Sequence, residues 1–104
     1  MKLTMGERFS LAEILPGKEN FANLRIVREL QLELAPTEEE WKRYGMKEDK
    51  GQIHWKLEMA SLEKDIRIGN KAHTIVREAL EKLDNEKVGE MKYLTLYEKF
   101  VKED

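Results

Sequence analysis

At 104 residues the chain has the size of one domain, able to bury roughly two thirds of the surface its unfolded form exposes, so a single core over residues 1–104 is expected. The absence of cysteine excludes disulfides, thiolate catalysis and Cys-ligated metals. Charged residues make up 38% of the chain but nearly cancel, 19 Lys and Arg against 21 Asp and Glu, so no strong global field draws it to nucleic acid or to membranes.

The opening MKLTMGERFSLAEILP carries charge at Glu7 and Arg8 and contains no apolar run long enough for a signal peptide or a membrane span, which predicts a cytoplasmic protein with no membrane partner. Thr4 and Glu7 have capping-box spacing, in which each side chain satisfies the other residue's backbone N–H. A first helix is predicted from Met5 to Leu15, stopped by Pro16 and Gly17. Asn20 caps a second, with Phe21, Leu24, Val27, Leu30 and Leu34 on the buried side and Arg25, Arg28, Glu29 and Glu33 on the wet side. Pro36 ends it. Thr37 and Glu40 repeat the capping box, Glu38 to Glu40 complement the helix dipole, and Gly45 suits a left-handed C-terminal cap for a short third helix.

The stretch from Gly51 to Ile68 changes period. Ile53, Trp55 and Leu57 alternate with Gln52, His54 and Lys56, as in a strand with one dry face, and Ile66 and Ile68 repeat the alternation. Pairing these two runs gives an antiparallel hairpin over Gln52 to Ile68, with LEMASLEK between them as a loop or one irregular helical turn. After Gly69 and Asn70, the residues Ala72, Ile75, Val76, Ala79, Leu80 and Leu83 mark an amphipathic fourth helix. A break over Asn85 to Gly89 precedes a fifth in GEMKYLTLYEKFVKE, with Met91, Leu94, Tyr97 and Val101 on one stripe and Tyr93 and Phe100 beside it. The fold class is thus mainly α with a small antiparallel β-hairpin, an α+β domain ordered α-α-α-β-β-α-α.

Few catalytic chemistries fit these residues. A metal centre needs several converging ligands, whereas His54 and His73 stand outside any HExxH-type spacing, so no metal and no cofactor are predicted. The acids Glu38 to Glu40 are accounted for as a first helical turn. Ser10 and Ser61 lack a nucleophile elbow, and Gly69-Asn70-Lys71 has none of the glycine spacing of a phosphate loop. The expectation is a protein that is not an enzyme.

Three helices followed by a hairpin resemble a winged-helix DNA-binding domain in topology, with Gln52 to Ile68 as the wing. The basic residues such a reading would use are Lys50, Lys56, Lys64 and Arg67 on the wing and Arg25 and Arg28 on the second helix. Against it, the start of the third helix would present Glu38 and Glu39 to a polyanion, only partly offset by Lys42 and Arg43.

The LPxxxNF junction from Leu15 to Phe21, the acidic capping box at Thr37 and the closing Leu96-Tyr97-Glu98-Lys99-Phe100 resemble a group of small uncharacterised proteins of phages and prophages of Firmicutes. The resemblance implies an accessory protein acting by stoichiometric protein binding inside a bacterium, and it carries no catalytic residue with it. A partner-binding face at the third helix is expected from Glu38, Glu39, Trp41, Lys42 and Arg43, with Trp41 and Tyr44, at i and i+3, packing toward Leu34. The wide apolar stripe of the fifth helix suggests a homodimer formed through it.

Overall fold

A computed structural model describes residues 1–101. In chain order it contains β1 (Lys2–Thr4), α1 (Met5–Ile14), α2 (Phe21–Leu34), α3 (Glu38–Tyr44), β2 (Lys47–Asp49), β3 (Gln52–His54), a 3-10 turn at Leu57–Met59, β4 (Glu63–Asp65), α4 (Asn70–Asn85), a 3-10 turn at Met91–Tyr93, and α5 (Leu94–Phe100). The protein is mainly helical with small antiparallel strand pairs, an α+β fold.

The predicted helix starts form as their chemistry dictates. Both capping boxes close: the Glu7 backbone N–H donates to Thr4 Oγ1 (3.1 Å) and Thr4 N–H to Glu7 Oε1 (2.9 Å), and Glu40 and Thr37 repeat the same two bonds. Asn20 accepts from the Asn23 N–H at 2.8 Å. Gly45 ends α3 in the left-handed conformation, φ 62°.

The strands pair differently from the predicted hairpin. β3 pairs with β2, Lys47 opposite His54 and Asp49 opposite Gln52, while β4 pairs with the N-terminal β1, Leu3 opposite Lys64. The hairpin over Gln52 to Ile68 therefore does not form, the element order gains the two strands β1 and β2, and the second predicted strand, expected around Ile66 and Ile68, is displaced to β4. The cause is the two-residue turn Lys50-Gly51, whose φ values of 51° and 79° give the twist that a tight antiparallel ribbon requires. Such a turn commits β3 to the strand just before it. Leu57, expected on the dry face, instead starts the 3-10 turn and is exposed. Ile66 lies just past β4, where its N–H donates to the Met1 carbonyl at 2.8 Å.

Two apolar clusters follow. The larger joins Leu3, Leu11, Leu30, Leu34, Val76, Leu80, Leu96 and Phe100, each side chain worth roughly 1.5–3 kcal/mol of burial. The smaller gathers Met5, Tyr44 and Met46, with Trp41, Trp55 and Phe9 against them, and the Phe9 and Trp55 rings stack at 5.6 Å. Trp41 and Tyr44 thus pack in this second cluster, not in the one holding Leu34.

α2 buries the predicted side through Val27, Leu30 and Leu34 but not at its first turn, and the last segment buries a different side from the one predicted. Phe21, placed by periodicity on the dry side of α2, is 86% exposed at its first turn. In the last segment the buried residues are Tyr93, Leu96 and Phe100, while Met91 is 82% and Leu94 45% exposed. The 3-10 turn at Met91–Tyr93 resets the helical phase, and the Tyr93 hydroxyl, donating to Glu13 Oε2 at 2.9 Å, holds that turn against α1. Lys102 and Glu103, the end of the predicted fifth helix, lie outside the described residues.

Lys50→Asn, which tolerates the left-handed backbone better than lysine, should raise stability by about 0.5 kcal/mol, and Gly51→Val should lower it by about 1–2 kcal/mol. Urea midpoints of the two variants at neutral pH measure both effects, and equal midpoints would contradict the turn.

Candidate functional site

The tightest polar cluster is built on Arg8 of α1, which the sequence marks only as a charge near the N-terminus. It is only 1% exposed. Its Nε donates to the Leu34 carbonyl at 3.1 Å and its NH2 to the Ala35 carbonyl at 3.1 Å, so it satisfies two of the acceptors that α2 leaves open at its C-terminus. The same guanidinium forks onto Glu40, with NH1 to Oε2 at 2.5 Å and NH2 to Oε1 at 3.0 Å. Glu40 already closes the α3 capping box, and Lys64 Nζ approaches it to 3.8 Å. The hydrogen bonds from Arg8 outweigh burial and hold the Glu40 carboxyl down at about 2. A carboxylate so saturated with donors stays ionised near neutrality. Its function is to join α1, α2 and α3.

A second joint reuses the other capping box. Lys99 Nζ donates to Glu7 Oε1 (2.7 Å), Glu63 Oε2 (2.9 Å) and the Lys2 carbonyl (2.9 Å), tying α5 to α1, β1 and β4. Burial pushes the Glu7 carboxyl up, but hydrogen bonds from Lys99, the Thr4 backbone and Thr95 bring it below its ordinary value. Among the described residues every buried side-chain nitrogen and oxygen has a hydrogen-bond partner.

With the polar interior so occupied, the surfaces remain. A groove of about 500 Å³ runs between the end of α4 and α5, floored by Leu80 and Tyr93 and walled by Leu83, Met91, Leu94 and Tyr97. Asp84, Lys87 and Glu90 stand around it. The α4 end is shaped by Lys87 at φ 57°, whose N–H returns to the Asp84 carbonyl, and by the Val88 N–H bonded to the Leu83 carbonyl. The Tyr97 hydroxyl donates toward Asp84 Oδ2 at 3.4 Å.

On α3 the expected face is present as charge alone. Glu38, Glu39, Lys42 and Arg43 are exposed, whereas Trp41 is half-buried against the second cluster. The basic residues of the wing reading are scattered by the new strand pairing. Lys50 is in the β2–β3 turn, Lys56 follows β3 with its stem over Gly45, Lys64 lies on β4 near Glu40, and Arg67 lines a groove with Glu29 and Glu33. Arg25 and Arg28 stay together, exposed on α2 beside Phe21 and Leu24. His54 is exposed on β3, and His73 tilts against Phe100 at 5.1 Å.

Met91 and Leu94 are residues whose placement was misread, and Arg8 is one whose place the sequence left open. For Arg8 the available signal was Glu40 at the third position of a second capping box. For Met91 and Leu94 none existed, because the phase of α5 depends on the Tyr93 bond to Glu13. Comparison with family models, curated proteins and solved structures found no match for this chain. Among the described residues no helix is long and apolar enough to cross a membrane.

Because the folded Glu40 carboxyl is depressed, the stability it contributes is complete above about 4.5, its ordinary value, and is lost as the pH falls toward 2. Arg8→Met should cost about 3 kcal/mol at pH 7. The stability gap between the two proteins should narrow as the pH is lowered through that range, and a gap independent of pH in urea titrations would show that the ion pair is not its source. Arg8→Met/Glu40→Leu should recover only part of the loss, because the Leu34 and Ala35 carbonyls keep no donor and the α3 capping box stays open.

Proposed function

We propose that this protein is a non-enzymatic, stoichiometric protein-binding module whose docking site is the α4/α5 groove, occupied by the same groove of a second copy. The supporting observation is the exposure of Met91 (82%) and Leu94 (45%) on the lip of an apolar groove. Large unpartnered apolar side chains clustered in this way favour burial against another surface. Met91 supplies both a wall of the groove and a flexible thioether that can fill a facing one, the self-complementarity that a two-fold contact requires.

The resemblance of the Leu15–Phe21 junction and the Leu96–Phe100 segment to phage and prophage proteins supports a setting inside a bacterial host, as an accessory protein acting by binding. The saturation of Glu7 and Glu40 by internal donors is in keeping with a scaffold in place of a catalyst. Through the groove, two copies would present two sets of outer faces to a partner.

Sedimentation velocity over a wide concentration range should give a mass rising from 12.3 kDa toward twice that value. Met91→Glu should hold it at the monomer with an unchanged circular dichroism spectrum, because the side chain is exposed in the single copy. A monomer mass at every concentration would overturn the assignment of the second copy.

A further inference from the structure

The outward line of α2 is a second surface that the groove does not use. At 3.6 residues per turn, Phe21, Arg25, Arg28 and Leu32 follow one another by four, three and four positions and fall on a single face. Phe21 is 86% and Leu32 73% exposed, the two ends of a line whose middle is cationic. Both arginines are exposed, and among the described residues neither takes part in an ion pair. With Phe21 and Leu24 they line a shallow cavity of about 470 Å³ that contains no acid.

The acids of α2, Glu29 and Glu33, line a separate groove together with Leu32, Arg67 and Lys71. Arg25 and Arg28 are thus two neighbouring cations with no ion-pair partner among the described residues, on a chain whose net charge is −2.

We infer that this face docks an acidic amphipathic helix of a partner protein, with carboxylates set between two apolar anchors. Eleven residues of helix place the Phe21 and Leu32 positions roughly 16 Å apart, which defines the spacing of the partner's anchors. Guanidinium groups are weakly hydrated and fork onto carboxylates, and flanking apolar side chains exclude water from such pairs and strengthen them. Phosphate chains are the poorer fit. Leu32 offers nothing to a base edge or a phosphate, and Glu29 and Glu33 lie along one flank of the line.

The probe is a synthetic helical peptide with two leucines eleven positions apart and glutamates on the same face between them. Its twin carries glutamine at the glutamate positions, and a single-stranded oligothymidine is the third ligand. Binding to the full chain is followed by fluorescence anisotropy and by amide shifts in nitrogen-15 spectra. The acidic peptide should bind saturably, weaken with salt and move amides of residues 21–32. The glutamine twin should bind at least tenfold more weakly, about the loss expected when charged pairs across an interface are removed. Arg25→Glu/Arg28→Glu should abolish binding and Phe21→Ala should reduce it, with the fold kept because all three side chains are exposed. Absent peptide binding, equal binding of the twin, or equal binding by the charge-reversed chain would overturn the inference, as would tighter binding of oligothymidine to residues 21–32. No residue is shared with the α4/α5 groove, so the result does not depend on dimer formation.

Discussion

The Arg8 guanidinium is the constraint around which the helices are arranged. Removing a cation from water is costly, and the cost is offset only when its donors meet well-placed acceptors, preferably a carboxylate. Here those acceptors come from the end of α2 and the start of α3, two groups of atoms separated by the Pro36 turn. The observed placement of α1 against that turn satisfies them together. Once α3 is fixed, Tyr44 and Trp41 are delivered to Met5 and Met46, and the β2–β3 ribbon follows from the end of α3.

The two capping boxes acquire a second use through the same logic. A glutamate at the third helical position reaches back to the cap residue's N–H with one oxygen and still offers lone pairs to a cation. Arg8 uses those of Glu40, and Lys99 uses those of Glu7. Local signals that start helices therefore also record where distant helices attach. The Lys99 joint further fixes the last helix on β1 and β4, which, with the Tyr93 hydroxyl on Glu13, sets the rotation of α5.

That rotation determines which apolar side chains are left over. With Tyr93, Leu96 and Phe100 committed to the core, Met91 and Leu94 face outward over the end of α4. On α2 the inward commitment of Val27, Leu30 and Leu34 leaves Phe21 and Leu32 at the two ends of an arginine-centred face. Both candidate surfaces are thus remainders of core packing, whose apolar members Phe21, Met91 and Leu94 sequence periodicity had assigned inward.

Local chemistry was legible in the chain. Thr4, Asn20, Thr37 and Gly45 marked helix ends through bonds to neighbours three or four residues away, and the spacing of Ala72 to Leu83 marked α4, because these effects are decided within one or two turns. The mixed α+β class followed from them. Strand pairing was not legible, since the alternation of Ile53 and Trp55 and of Ile66 and Ile68 identifies extended backbone without naming its partner. The Lys50-Gly51 turn and the distant N-terminus supplied those partners. The burial of Arg8 and the phase of α5 likewise belong to the tertiary structure alone. Each rests on a bond between residues far apart in the chain, Arg8 to Glu40 and Tyr93 to Glu13, whose partners only the folded packing brings within reach.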